Sequence, residues 1–504
     1  MTPRRRKWLF AVALFAVLIA GGLWVSYIRL LPWIVRREVN AAFASVGLSN
    51  VKFDVTQASL FGTRIEGAGG DEGQIGIGAV SVRYSPWDAV NGELKSISIS
   101  NARLELDLDA PLQLGAGASK KSGSADASFE LPFERLELMK CALVLKRGDR
   151  ELRLPIDGAI VRRNTKNAAD LTITSAIARS DLNVSGAIDG AAGRAHFTAS
   201  ATNVQPLRLM AILPPQVARD VDDAGGNVTF ALDYKFDAGK SSASLQLALA
   251  DVFVEAQRGF GVSVHGLSGA VTFDDLLAPS TGSNQTITVD RVSVAGQEFT
   301  GVVLGFALES VNRLMIDQLK FNWSGGAAQA QPFALDLTKP VLATTLFLEH
   351  VGLRDVVAVV TAGRATGDGT VSGSVPFTID LTRPGAPHVE VGEGTFRADE
   401  RGNLRLGESA EDLGKLMERE NPGFQSDPLL RDLKADVLQA VQDFDYHLLE
   451  VSFRRDALGH LVTAMKIHGR GRENRLPINL NLNVTGADEA LNAYLAAKSR
   501  VFGK

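Results

Sequence analysis

The sequence predicts a mainly β protein: a long, twisted antiparallel sheet with one N-terminal transmembrane helix and a few capping helices. From Asn50 onward apolar residues recur with a period of two, as in Val51/Phe53/Val55, Ile75/Ile77/Ala79 and Leu104/Leu106/Leu108, which is the spacing of strands with one apolar and one wet face. Glycine reaches 49 of 504 residues while aromatics are only 7%, a composition that favours many short strands and turns over long helices. A third observation sets the compartment. Trp8–Ile28 (WLFAVALFAVLIAGGLWVSYI) carries no charge and lies between Arg4, Arg5, Arg6, Lys7 and Arg29.

Residues 1–29 therefore read as a cytoplasmic tip and a transmembrane anchor. At ~1.5 Å of helical rise per residue the uncharged run crosses a hydrocarbon layer of roughly 30 Å, with Trp8, Trp24 and Tyr27 suited to the two interfaces. A cleaved signal peptide is the alternative, with Ala20-Gly21-Gly22 as its cleavage site, but its apolar centre normally spans about 7–15 residues. Residues 30–48 predict a juxtamembrane amphipathic helix. Pro32 opens it, Gly47 ends it, and Leu31, Val35, Val39 and Phe43 repeat every fourth residue. It either rests on the membrane surface or plugs the base of the domain.

Residues 49–405 predict the β region. The alternation continues through Leu171/Ile173, Leu182/Val184, Val228/Phe230/Leu232/Tyr234/Phe236, Leu245/Leu247/Leu249 and Val271/Phe273. It resumes in Val302/Leu304/Phe306/Leu308, Leu319/Phe321/Trp323, Phe333/Leu335/Leu337 and Phe377/Ile379/Leu381. Turn clusters such as Asp237-Ala238-Gly239-Lys240 separate the strands, and Leu114–Ala127, small and polar without periodicity, reads as a linker. Short helices are expected over Leu207–Leu213, ended by Pro214-Pro215, and over Val351–Ala362. Residues 406–504 predict helices followed by strands. Ser409 with Asp412 caps one helix that Asn421-Pro422 stops, and Asp427-Pro428 opens another with the stripe Leu430, Leu433, Val437, Val441 and Phe444. Strands return at Val451/Phe453, Leu461–Ile467 and Ile478–Val484, before a terminal helix from about Asp488 to Arg500.

Composition excludes several functions. Residues 1–40 hold seven Lys/Arg and one Glu, a local +6 that leaves −10 on the rest of a chain whose total is −4, so no nucleic acid is expected as a partner. The single cysteine, Cys141, forms no internal disulfide and reads as a small buried hydrophobe, a pattern that suits a bacterial envelope protein. His196, His265, His350, His388, His447, His460 and His468 show no metal-ligand spacing. Gly73, Gly76 and Gly78 precede no helix and so form no phosphate loop, and no G-x-S-x-G elbow occurs. Asp222-Asp223 and Asp274-Asp275 read as turn carboxylates. No catalytic residue, cofactor or metal is expected, and the protein is not expected to be an enzyme.

Two stretches carry a resemblance. Gly47-Leu48 through Phe53, Gly62-Thr63-Arg64-Ile65, Ile75–Tyr84, and Asn91-Gly92-Glu93-Leu94-Lys95-Ser96-Ile97-Ser98-Ile99 leading to Ala102-Arg103-Leu104-Glu105-Leu106 resemble the start of AsmA-like proteins. Phe444-Asp445-Tyr446-His447-Leu448, Gly459-His460-Leu461, Gly469-Arg470-Gly471 and Leu476-Pro477-Ile478-Asn479-Leu480-Asn481-Leu482-Asn483 resemble the C-terminal end of the YdbH branch, the "dicarboxylate transport" domain. The chain departs from that pattern at Gly471-Arg472-Glu473-Asn474-Arg475, where an Asn-Pro would be expected. Between about 115 and 400 the likeness is one of strand pattern.

The resemblance implies a sheet curled into an open apolar trough, anchored once in the inner membrane with its bulk in the periplasm, that carries phospholipid toward the outer membrane. Physical chemistry permits the same reading, because an unpaired apolar face must be covered by a second sheet, a helix or a guest. Acyl chains suit that role, contributing ~0.8 kcal/mol for each buried CH₂. The residues expected to line the groove are Phe230, Leu232, Tyr234, Phe236, Leu247, Phe273, Leu304, Phe306, Phe321, Trp323, Leu335, Phe377 and Ile379; a sealed sandwich core is the alternative for them. About two dozen strands at ~4.8 Å each reach at most ~115 Å, so one copy is not expected to bridge both membranes, and an outer-membrane or periplasmic partner protein, or a second layer, is expected to complete the path. The rival functions are an envelope scaffold or assembly factor that carries no lipid and, last, a protein of dicarboxylate transport.

Overall fold

The structure, a computed structural model, describes residues 52–485 apart from 70–74, 110–130, 213–220, 257–260, 361–364, 383–387, most of 407–425 and a few single or paired positions, with Asn492 beyond them. The expected transmembrane helix, juxtamembrane helix, linker 114–127, helix after Ser409 and terminal helix from about Asp488 lie outside the described residues, Lys415 and Asn492 apart. Among the described residues no helix is long and apolar enough to cross a membrane. The fold is mainly β, as the period-two pattern predicts, and the chain divides into two compact units, 1–218 with 229–243 and 219–228 with 244–504.

In the first unit β1 (Lys52–Ser59), β2 (Gly62–Gly69) and β3 (Ile75–Arg83) form an antiparallel meander, followed by helix α1 (Pro86–Val90). Strands β4 (Leu94–Ser100) and β5 (Arg103–Asp107) lie end to end along β3, with Asn101 between them in the left-handed region at φ 53. Here the expectation of a purely antiparallel sheet needs correction. Strand β6 (Phe133–Arg147) runs parallel to both, Ile97 facing Leu136 and Leu104 facing Leu143. A parallel neighbour requires the chain to return to the end it started from, and residues 108–132 are a connection long enough for that crossover, which a hairpin is not. Antiparallel pairing then resumes through β7 (Arg150–Arg162), β8 (Ala168–Ile177), β9 (Ser180–Asp189) and β10 (Arg194–Val204). Helix α2 (Pro206–Leu209) and a 3₁₀ turn over Met210–Ile212 stand where the short helix before Pro214 is expected.

Strands β11 (Asp223–Asp237) and β12 (Lys240–Ala256) contribute to both units, and Gly239 supplies φ 85 to their turn. The second unit continues with β13 (Val262–Asp275), β14 (Ser280–Thr281), β15 (Gln285–Val294), β16 (Gln297–Ser310), β17 (Arg313–Trp323), β18 (Gly326–Ala330), β19 (Phe333–Asp336) and β20 (Val341–Gly352). Helix α3 (Leu353–Val360) leads to β21 (Thr366–Asp368), β22 (Thr370–Asp380), β23 (His388–Val391), β24 (Gly394–Ala398) and β25 (Gly402–Arg405). Helix α4 (Pro428–Gln442) opens as its sequence predicts, Asp427 Oδ1 accepting from the Leu429 N–H at 2.9 Å. It stops at Gln442 because Asp443 is extended, so Phe444, expected on the helix stripe, begins the sheet again in β26 (Asp443–Arg455). Strands β27 (Leu461–Gly471) and β28 (Pro477–Thr485) follow.

One turn recurs. The sequence Asp-Leu-x-x-Pro stands at Asp107, Asp275, Asp336 and Asp380, each time at the end of a strand. In every copy the aspartate Oδ1 accepts the N–H two residues on, at 2.9, 2.9, 2.8 and 2.9 Å respectively. The side chain thus fixes the turn, and the proline, lacking an N–H, cannot extend the ladder.

A second device keeps apolar residues on one side. At Lys140, Asn203, Asp251 and His350 the backbone enters the left-handed region, with φ between 51 and 55. This costs a non-glycine residue roughly 1–2 kcal/mol. The N–H at each bulge is met by a side chain of a following strand: Asp157 Oδ1 at 2.6 Å, Thr229 Oγ1 at 3.3 Å, Ser268 Oγ at 3.0 Å and Ser372 Oγ at 3.0 Å. The extra residue shifts the register by one, so Leu249 and Val252, or Leu348 and Val351, fall on the same face despite odd spacing.

A continuous apolar face as the candidate functional site

Residues paired across an antiparallel ladder share a face, so register alone traces the site in the second unit. Leu247 faces Val271 on β13, Gly269 faces Ile287 on β15, and Ile287 faces Leu304 on β16. Leu304 faces Leu319 on β17, Phe321 faces Ala328 on β18, and Ala328 faces Leu348 on β20. The path continues from Leu348 to Gly373 and Phe396, then through Val451 and Met465 to Leu482 on the last strand. Leu247, Phe273, Leu304, Phe306, Phe321, Trp323, Leu335, Phe377 and Ile379 all lie on this one face.

In the first unit the same logic joins Val82, Ile97, Leu136, Ile160 and Leu171 to Gly186 and Phe197. Phe197 stacks on Tyr234 with ring centroids 6.2 Å apart, and Phe230, Leu232 and Phe236 alternate with Tyr234 along β11. These four candidates belong to the first unit and the other nine to the second.

All thirteen candidates are half-buried, and none belongs to the fully buried core. Phe321 and Trp323 also pack against the buried Ala328, Leu348 and Val351. A cavity of about 480 Å³ opens beside Phe377, lined also by Thr344, Pro376, Val391 and Arg455. Sequence reasoning missed Phe299, whose ring meets Phe321 edge-on at 5.3 Å and Trp323 at 6.1 Å. Its odd number places it out of phase with Leu304 and Phe306, and only the register shift near Gly301, at φ 59, returns it to their face. The Trp323 indole donates to Gln297 Oε1 at 3.1 Å, so that side chain is satisfied without a ligand.

The opposite face is wet. In the first unit Arg194 pairs with Asp237 at 3.0 Å and His196 with Asp233 at 2.9 Å. The hydrogen bond from His196, followed by one from Lys235, holds the Asp233 carboxyl below its usual range. Asp275 accepts the Leu277 N–H as a turn carboxylate, whereas Asp223 begins β11 and accepts the N–H of its neighbour Ala224, and among the described residues no group of ligating side chains could hold a metal ion. Cys141 is buried between the Ile99 and Met139 carbonyls, 3.7 Å from each.

At the C-terminal end the apolar face is closed. Helices α3 and α4 lay Leu353, Ala440 and Val441 over Phe444, Tyr446, Leu449, Ile467 and Ile478, leaving Phe444 0% and Tyr446 1% exposed. The Tyr446 hydroxyl donates to the Asp368 carbonyl at 3.0 Å, and burial pushes its phenol up to about 12. Gly369 and Gly402 are required there, since a Cβ at either would stand 2.4 Å from the Tyr446 hydroxyl oxygen.

Residues 195–487, more than half of the chain, match a family profile described as "YdbH-like: Intermembrane phospholipid transport protein YdbH". No curated protein and no solved structure matches the chain significantly.

Proposed function

The chain belongs to the YdbH-like family of intermembrane phospholipid transport proteins, and from that premise we propose that it conducts phospholipid along its apolar sheet face without chemistry. The single observation that carries the reading is the row of large apolar side chains left half-buried on one continuous face of the second unit. Acyl chains complete such a face, each buried CH₂ contributing ~0.8 kcal/mol with no directional partner needed.

Trp8–Ile28 anchors the chain in the inner membrane, the body lies in the periplasm, and net movement runs toward the outer membrane. From β12 the path of hydrogen-bonded neighbours runs through β13, β15, β16, β17, β18, β20, β22, β24, β26 and β27 to β28, which at ~4.8 Å per strand is a contour of only ~53 Å for the second unit. An outer-membrane or periplasmic partner protein completes the route.

Mass spectrometry of lipids that purify with the chain tests the proposal. Phospholipid at or above one molecule per chain supports it. A lipid-free preparation that still captures an envelope protein would replace it with the scaffold reading, and heat on titration with succinate would favour dicarboxylate binding.

A further inference from the structure

Resting on the reading of Trp8–Ile28 as a membrane anchor, we propose that Phe61 and Trp87 form a rigid aromatic tip that seats in the same phospholipid bilayer. Trp87 is 81% and Phe61 67% exposed, unlike the half-buried aromatics of the apolar face. They belong to different connections, the β1–β2 turn and helix α1, and the backbone brings these together: the Tyr84 N–H donates to the Phe61 carbonyl at 3.1 Å. The Tyr84 hydroxyl donates to the Ser59 carbonyl at 2.8 Å and lies 3.0 Å from Thr63 Oγ1.

The rest of the pedestal is also hydrogen-bonded. The Phe61 N–H donates to Ser59 Oγ at 3.3 Å, the Asp88 N–H to Ser85 Oγ at 3.2 Å, and the Glu93 N–H to the Asp88 carbonyl at 2.8 Å. Two aromatic rings are therefore held in solvent by a satisfied frame, not by a frayed loop.

The size of the patch selects the occupant. A stable protein interface buries roughly 1,200–2,000 Å². Two rings of about 150–250 Å² each fall far short of that, whereas a bilayer accepts side chains singly and its interface favours tryptophan. Charge agrees. Arg83 ends β3 and Lys95 lies at the start of β4, at the same end of the sheet, and neither has a carboxylate within ion-pair distance among the described residues. Of the nearby acids Glu93 is engaged by Lys166, which leaves Asp88 and a positive balance suited to anionic headgroups.

Reach agrees as well. The eight residues of β1 set Phe61 roughly 25 Å from Lys52. Residues 29–51, between the uncharged run and β1, span ~35 Å even if wholly helical. The leash therefore lets the tip come back to the membrane surface.

The test uses the full chain, with Cys141→Ala to remove the native thiol, in vesicles of phosphatidylethanolamine with a minority of phosphatidylglycerol. An environment-sensitive fluorophore is attached at Phe61→Cys, at Trp87→Cys, or at the control Ser283→Cys; all three side chains are exposed, so labelling leaves the fold intact. The expected result is quenching by bromine-labelled acyl chains several-fold stronger at 61 and 87 than at 283. Equal quenching at all three overturns the proposal, and so does a label shielded from water but not quenched, which would mean that protein covers the tip. Flotation with the vesicles separates the two readings. A chain that floats with labels 61 and 87 unquenched keeps its anchor and loses its tip, and one that does not float loses both.

Discussion

Two parts of one apolar face in the second unit have the same chemistry and different fates. Under α4, Phe444, Tyr446 and Leu449 are sealed by Ala440 and Val441. Across β16 and β17, Leu304, Phe306, Phe321 and Trp323 carry equally large side chains that stay half-buried, although Phe321 and Trp323 pack against the cluster that Val356 of α3 joins. The strand pattern is the same in both parts; the difference is the lid. This teaches that the open part is a specific exposure, not a weak core, because among the described residues the chain seals such a face fully under α4 and only partly elsewhere. The closed end holds the sheet through its buried cluster.

The comparison is broken most forcefully at the closed end. Phe444→Ala empties a fully covered site and should cost about 3–5 kcal/mol in denaturant unfolding of the C-terminal strands. A loss below ~1 kcal/mol would show that the lid is not a core. Gly301→Val acts on the open part through the backbone: at φ 59 the new side chain costs roughly 1–2 kcal/mol, although the nearest atom to its Cβ is only the movable Asn322 amide at 3.0 Å. It should also displace Phe299 from Phe321, and an unchanged melting curve would contradict the role given to that bulge.

Tyr446→Phe removes one buried hydrogen bond and should cost about 1 kcal/mol near neutrality. It sharpens the comparison through pH. The phenol titrates higher when folded, about 12 against 10, so its contribution is fully present below pH 10 and falls as pH rises from 10 toward 12. The wild-type chain should lose stability across that window and the Phe variant should lose less; parallel losses would contradict the burial of the phenol. Phe321→Ala should cost less in folding than Phe444→Ala, because its ring is only partly covered. Its lipid content on purification should nevertheless fall, and a large folding loss with unchanged lipid would reverse the assignment of open and closed parts.

Much of this was legible in the sequence. Alternation at Val302/Leu304/Phe306 and Phe377/Ile379 places strands where the structure has them, and Asp427-Pro428 marks the start of α4. The parallel pairing of β4 and β5 with β6 was not legible, because period-two patterning fixes a strand's faces and says nothing of its neighbour's direction. Phe299 escaped for a different reason: a bulge shifts the phase of alternation without changing its composition. The Asp-Leu-x-x-Pro turn was present four times in the sequence, but its function as a strand stop becomes evident only from the shared aspartate hydrogen bond. The covering of Phe444 and the exposure of Phe321 could not be separated by pattern, since both are large apolar residues at strand positions.

The most direct measurement is a photo-crosslinking scan along β17 in living cells, with the photoreactive residue placed in turn at Leu319, Lys320, Phe321, Asn322 and Trp323. Capture of phospholipid at 319, 321 and 323 with little at 320 and 322 is the result this account predicts, because only the odd positions lie on the apolar face. Equal capture at all five, or none at any, would contradict it.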